Sequence, residues 1–142
     1  MVTKKIKVVF DANIYLSFLL TRGETITTIF RSWLDGVFDV YASPEIISEV
    51  RAASNYPKLQ KRITQKDKEV ISALFHYQVE RVYPTKTVSF PKDPDDAIYL
   101  AAASACDADY LVTGDTKHLL PLKKFGRTKI VTPAEFKQIV SK

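Results

Sequence analysis

Residues 5–20 read KIKVVFDANIYLSFLL, and the change of pattern inside this stretch decides the fold. Lys5 to Phe10 is a short run rich in β-branched and aromatic residues, the signature of a buried strand. At Asp11 the pattern changes. Ala12 to Leu20 predicts a helix, which Thr21 and Gly23 end. A buried strand passing directly into a helix is the opening of a βαβ unit.

The rest of the chain repeats the theme. TITTIFRSWLDG, starting at Thr25, spaces Ile26, Ile29, Phe30, Trp33 and Leu34 along one helical face, and Gly36 closes it. Val37 to Ala42 predicts a second strand. Ser43 and Pro44 suit the N-cap and first position of the next helix, which carries Ile46, Ile47 and Val50 inward. Thr64 caps a helix from Gln65 with Val70, Ile71, Leu74 and Phe75 as its stripe. Val79 to Tyr83 predicts a third strand. A Pro-punctuated loop spans Pro84 to Pro94, and an alanine-rich helix follows from Asp95 to Ala105. Tyr110 to Thr113 and Lys129 to Val131 are the fourth and fifth strands. Thr132 and Pro133 open the last helix, through Val140. Strands alternating with helices imply a parallel sheet with helices on both faces.

Composition removes several classes. At 142 residues the chain is one domain, 1–142, with one core. With 46% hydrophobic and 26% charged residues it is neither disordered nor fibrous. Its single cysteine, Cys106, excludes an internal disulfide and a thiolate zinc site. It reads as a small buried apolar residue on a helix, in a protein of a reducing compartment. Asp11 and Asn13 interrupt the apolar N-terminal stretch, which therefore does not read as a signal peptide. No stretch reaches the roughly 20 apolar residues of a membrane span. A cytoplasmic location is expected. The formal net charge of +5 suits a polyanionic partner.

The acids carry more information than the net charge. In parallel sheets, sites form beyond the carboxyl ends of the strands. Asp11 follows the first strand and Asp115 follows the fourth, so both project from one edge. Asp93, Asp95 and Asp96, within KDPDDAIYLAAA, stand at the start of the alanine-rich helix. Glu49 lies beside an otherwise apolar helical face. Each acid alone has a plainer reading: Asp11 as a helix cap, Asp95 and Asp96 as a cap with first-turn acids, Asp115 as a turn residue and Glu49 as a solvated residue at the edge of its helix. Their convergence argues otherwise, because clustered carboxylates repel and call for a cation. Oxygen donors without a Cys or His grouping suit Mg²⁺ or Mn²⁺. His76 and His118 stand apart in sequence, although His118 follows Asp115 closely. A hard cation on a carboxylate rim, in a chain with surplus Lys and Arg, fits phosphodiester hydrolysis. Two basic groups are candidates for RNA contact. One is Arg51, Lys58, Lys61 and Arg62, interleaved with Tyr56; the other is Lys117, Lys123, Lys124 and Arg127.

VVFDANIYLSFLL, SPEIISEV and DPDDAIYLAAASACDADYLVTGD together resemble PIN domains, above all the prokaryotic branch of toxins from toxin–antitoxin pairs. The resemblance spans essentially the whole chain. It implies a three-layer α/β/α sandwich around a central, mainly parallel sheet of four to five strands. It also implies Mg²⁺- or Mn²⁺-dependent endoribonuclease activity, an antitoxin partner and a homodimer. By this resemblance Asp11 is the first catalytic and metal-binding acid, Glu49 the second and Asp115 the last. Asn13 matches a polar residue that orients the first acid, and Thr113 a hydroxyl beside the last. The family often places its third acid one residue after Asp96, where this chain has Ala97. Asp96 is therefore the expected third acid, with Asp93 next.

Other enzyme classes with an Asp after the first strand fit less well. A haloacid-dehalogenase site has a second Asp two residues on, where this chain has Asn13. Receiver domains lead with a pair of acids that is missing here. The alternative from another class is a catalytically silent RNA- or partner-binding module.

Overall fold

The computed structural model describes residues 5–21, 23–86 and 94–141. Six strands form one sheet: β1 (Ile6–Phe10), β2 (Phe38–Ala42), β3 (Val79–Arg81), β4 (Tyr110–Val112), β5 (Lys124–Phe125) and β6 (Thr128–Val131). Among the described residues six α-helices accompany them: α1 (Ala12–Leu20), α2 (Glu24–Leu34), α3 (Pro44–Ser54), α4 (Gln65–Ala73), α5 (Pro94–Cys106) and α6 (Pro133–Val140). The strand order is β3-β2-β1-β4-β6-β5, and only the β5–β6 pair is antiparallel. The mainly parallel sheet flanked by helices is the expected architecture, with six strands in place of four or five. The extra one is β5, two residues long and joined to β6 through Gly126 at φ +59°. Two residues are too few to show a strand periodicity in the sequence.

Helix starts follow local chemistry. The Ser43 hydroxyl accepts the Ile46 N–H, with Pro44 in the first turn of α3. Thr64 with Asp67, and Thr132 with Glu135, form reciprocal capping boxes on α4 and α6. The helix from Gln65 changes character at Leu74, within its apolar stripe, where a wider π-helical turn, Leu74–Gln78, feeds β3.

Phe10 marks one face of the sheet. Its ring lies 5.6–6.4 Å from those of Tyr15 on α1, Phe30 and Trp33 on α2, Phe38 on β2 and Phe136 on α6. On the other face Lys7 reaches the Tyr41 ring and the Cys106 carbonyl at the end of α5. Cys106 is buried, as the sequence suggests, and burial pushes its thiol up to about 11. On α2, Ile26, Ile29, Phe30 and Trp33 enter the core while Leu34 stays exposed, and Tyr77 in the π-helical turn is exposed as well. No helix among the described residues is long and apolar enough to cross a membrane.

The strand order positions the site. From β1 the chain moves outward through β2 to β3, then returns to place β4 on the other side of β1. The connection therefore reverses direction between β1 and β4, which opens a crevice at their carboxyl ends. Asp11 and Asp115 leave the sheet at that crevice.

Candidate active site

Asp11 is the residue after β1 and the N-cap of α1. Its backbone N–H donates to the Val112 carbonyl of β4 at 3.1 Å, which fixes it against the neighbouring strand. Its carboxylate accepts two hydrogen bonds. The Asn13 backbone N–H donates to Oδ1 at 3.1 Å, and the Thr113 hydroxyl donates to Oδ2 at 2.7 Å. The Asn13 contact thus runs through the main chain, and its side chain is exposed. Thr113, fully buried just after β4, holds the other oxygen and in turn accepts the Asp115 N–H at 3.0 Å. One hydroxyl joins the two acids.

A cleft of about 620 Å³ opens over these residues, and Asp11, Glu49, Asp96 and Asp115 all line it. Glu49 comes from α3 and Asp96 from the first turn of α5. Asn13, Tyr56, Lys58 and Tyr99 line it as well. Arg51, Lys61 and Arg62 are exposed without lining it. Arg127 lies elsewhere, paired with Asp109 at 2.6 Å before the start of β4. Asp93 falls outside the described residues.

The tightest grouping is Asp96, Asp115 and His118, each offering one donor atom within 4.8 Å of the others. His118 Nδ1 lies 3.2 Å from Asp96 Oδ2 and 3.7 Å from Asp115 Oδ2. The turn after β4 builds this grouping. The Lys117 and His118 backbone N–H groups both donate to Asp115 Oδ1, at 3.0 and 3.1 Å, and the His118 ring stands beside Asp96 and Asp115 at the edge of the residues that line the cleft. The only sequence signal for His118 is its place three residues after Asp115. Tyr99 was also missed, because a tyrosine in an alanine-rich helix reads as core. It stands three residues after Asp96, on the same face of α5, and its hydroxyl accepts the Ala12 N–H at 3.4 Å.

The electrostatics separate the acids. Burial pushes the Asp11 carboxyl above its ordinary value; the Thr113 and Asn13 hydrogen bonds oppose this, and Asp115 adds to it. Burial also acts on Asp115, but the His118 and Lys117 N–H groups and the imidazole outweigh it and hold that carboxyl low. Burial, then the nearby acids, raise the Tyr99 phenol and keep it neutral. The cleft is therefore acidic inside a basic protein.

Residues 7–117 match the PIN domain, which covers most of the chain. The chain belongs to the PIN-domain family. Over 146 aligned residues this PIN domain is 27% identical to the uncharacterized protein MJ1680 of Methanocaldococcus jannaschii. The alignment covers 93% of the chain and 90% of the relative. The fold is similar to that of a chain of VapBC2 from Rickettsia felis, whose structure is of a complex bound to a DNA fragment from their promoter. That match has a TM-score of 0.63 at 12% identity, over 89% of this chain and 98% of that one. It is also similar to VapC20 of Mycobacterium tuberculosis, a Sarcin-Ricin loop cleaving toxin. Here the TM-score is 0.54 at 14% identity, over 86% and 98% of the two chains.

The buried Thr113 hydroxyl gives a test of how the acids are held. Thr113→Val keeps the shape but leaves an Asp11 oxygen and the Asp115 N–H unpaired, with an expected loss of about 1–3 kcal/mol of stability. Without this bond the Asp11 carboxyl rises further, so the deficit should be larger at pH 7 than at pH 4. Urea unfolding in EDTA at both pH values, beside Thr113→Ser, measures it. Equal deficits for Val and Ser would assign the effect to packing alone.

Proposed function

We propose that this PIN domain is a metal-dependent endoribonuclease that cleaves RNA phosphodiester bonds at the Asp11, Glu49, Asp96 and Asp115 cleft. The observation that carries this reading is four carboxylates lining one cleft of a chain with a net charge of +5. Without a cation that cleft repels a phosphate backbone. The donor chemistry fits a divalent cation: oxygens predominate, with one imidazole beside them. Asp11, Glu49, Asp96 and Asp115, which all line the cleft, would hold the cation. When bound, the cation supplies a Lewis acid that polarises the phosphodiester and favours ionisation of water.

The chain's own residues perform the remaining tasks. Thr113 and the Asn13 N–H keep Asp11 oriented and oppose the upward push of burial on its carboxyl. The Lys117 and His118 N–H groups do the same for Asp115. Lys58 at the cleft wall offers a phosphate contact, and Tyr56 beside it offers a ring for base stacking. A toxin role, with an antitoxin as partner, draws support from the fold shared with VapC20.

The test is cleavage of single-stranded RNA with Mn²⁺ or Mg²⁺. Cleavage should vanish with EDTA and return when Mn²⁺ is added in excess. Cleavage indifferent to chelation would remove the cation from the reaction. Binding of RNA without cleavage, with either metal present, would favour a silent RNA-binding module.

A further inference from the structure

We infer that His118 is a nitrogen ligand of the cation in this cleft, shared with Asp96 and Asp115, and that it biases the centre toward Mn²⁺ over Mg²⁺. The inference rests on the metal-dependent reading above and adds a specific donor to it.

Three features carry it. The first is spacing. Neighbouring donors on an octahedral divalent cation lie about 3 Å apart, from bond lengths near 2.1 Å at right angles. The distance from His118 Nδ1 to Asp96 Oδ2, 3.2 Å, is close to that spacing, and the 3.7 Å to Asp115 Oδ2 is somewhat wider, within the reach of a small side-chain adjustment around an ion. The second is direction. Asp115 Oδ1 is taken up by the Lys117 and His118 N–H groups, whereas Oδ2 is the atom near the imidazole. The turn thereby commits one oxygen to structure and turns the other toward His118 and Asp96. The third is donor chemistry. Mg²⁺ favours oxygen and water, while an imidazole adds affinity for transition-metal dications.

The same distances suit a second arrangement, in which a protonated imidazole is an internal counter-ion for the two carboxylates. An imidazole ligated through Nδ1 and an imidazolium ion pair differ in an observable. Only the ligand transfers unpaired spin density from Mn²⁺ onto its nitrogen.

The chain has two histidines, so assignment requires two variants. Untagged protein is loaded with Mn²⁺, and pulsed electron paramagnetic resonance is recorded for wild type, His118→Gln and His76→Gln. Mn²⁺ and Mg²⁺ affinities are measured on the same samples by titration calorimetry. The His118 side chain is 47% exposed, so its replacement should leave the fold intact, and circular dichroism checks this. The expected result is a ¹⁴N coupling in wild type and His76→Gln that disappears in His118→Gln. With it, Mn²⁺ affinity should fall about tenfold or more, while Mg²⁺ affinity changes much less. Mn²⁺ bound without ¹⁴N coupling, or with coupling that survives in His118→Gln, would overturn the inference and leave the metal-dependent reading standing. No Mn²⁺ binding by the wild type would overturn both.

Discussion

Asp11→Asn should leave the fold standing and remove metal-dependent RNA cleavage, with a loss of about a hundredfold or more. Asp11 has two roles that this substitution separates. As N-cap of α1 it accepts the Asn13 N–H, and an Asn oxygen accepts that bond almost as well. As a cation ligand it contributes a negative charge that Asn lacks. The Thr113 hydroxyl can rotate to accept from an Asn amide, so the buried contact survives in altered form.

The thermal behaviour tells the roles apart. At a Mn²⁺ concentration about 100-fold above Kd, the wild type should gain roughly 2.7 kcal/mol from binding. The variant should gain much less. Without metal the order reverses. Burial raises the Asp11 carboxyl in the folded state, so the unfolded chain loses this proton at a lower pH. Between the two values the folded state binds a proton that the unfolded chain has lost, and stability falls as pH rises through that window. Above it the ionised carboxylate is a standing cost that Asn does not carry. Metal-free Asp11→Asn should therefore match or exceed the wild type at pH 7, and the difference should close below pH 4. Equal Mn²⁺ stabilisation of both proteins, with undiminished cleavage, would reduce Asp11 to a cap.

The placing of Asp11 and Asp115 on one edge was legible in the sequence, because Asp11 directly follows one apolar strand, Asp115 follows another across Thr113 and Gly114, and parallel sheets place such residues together. Their adjacency was not legible. It depends on β4 pairing with β1 instead of continuing outward from β3, and nothing local to YLVTGD encodes that choice. Thr113 illustrates the consequence. Read from the sequence it stands beside Asp115, whereas strand pairing also brings its hydroxyl to Asp11, 102 residues away. The contact of His118 with Asp96 was illegible for another reason. Its approach to Asp96 comes from a turn stabilised by backbone donors to Asp115, and backbone donors leave no residue-type signature. Helix starts were legible because caps are written in side chains: Ser43, Thr64 and Thr132 all cap where expected.

Phe10→Ala should cost about 3–5 kcal/mol, the largest stability effect expected of a single core change. Phe10 is fully buried at the last position of β1, immediately before Asp11. Its ring touches those of Tyr15, Phe30, Trp33, Phe38 and Phe136, so one side chain links two strands' worth of sheet to α1, α2 and α6. Truncation removes the transferred apolar area and leaves a cavity that five rings from four other elements cannot all close into. Edge-to-face contacts add to the loss, since four of the five pairs adopt that geometry. A domain of this size is stable by roughly 5–15 kcal/mol, so the variant should retain the fold only marginally. The measurement is urea unfolding, with the midpoint falling and the slope unchanged. Phe10→Leu, which keeps most of the volume, should lose clearly less. Because Asp11, the N-cap of α1, is the residue after Phe10, loosening the start of that helix should also weaken the grip on Asp11. Mn²⁺ affinity should then fall in Phe10→Ala while the carboxylates themselves are untouched. A loss below 1 kcal/mol, with metal affinity unchanged, would show that the aromatic cluster closes over the gap and that the site does not depend on it.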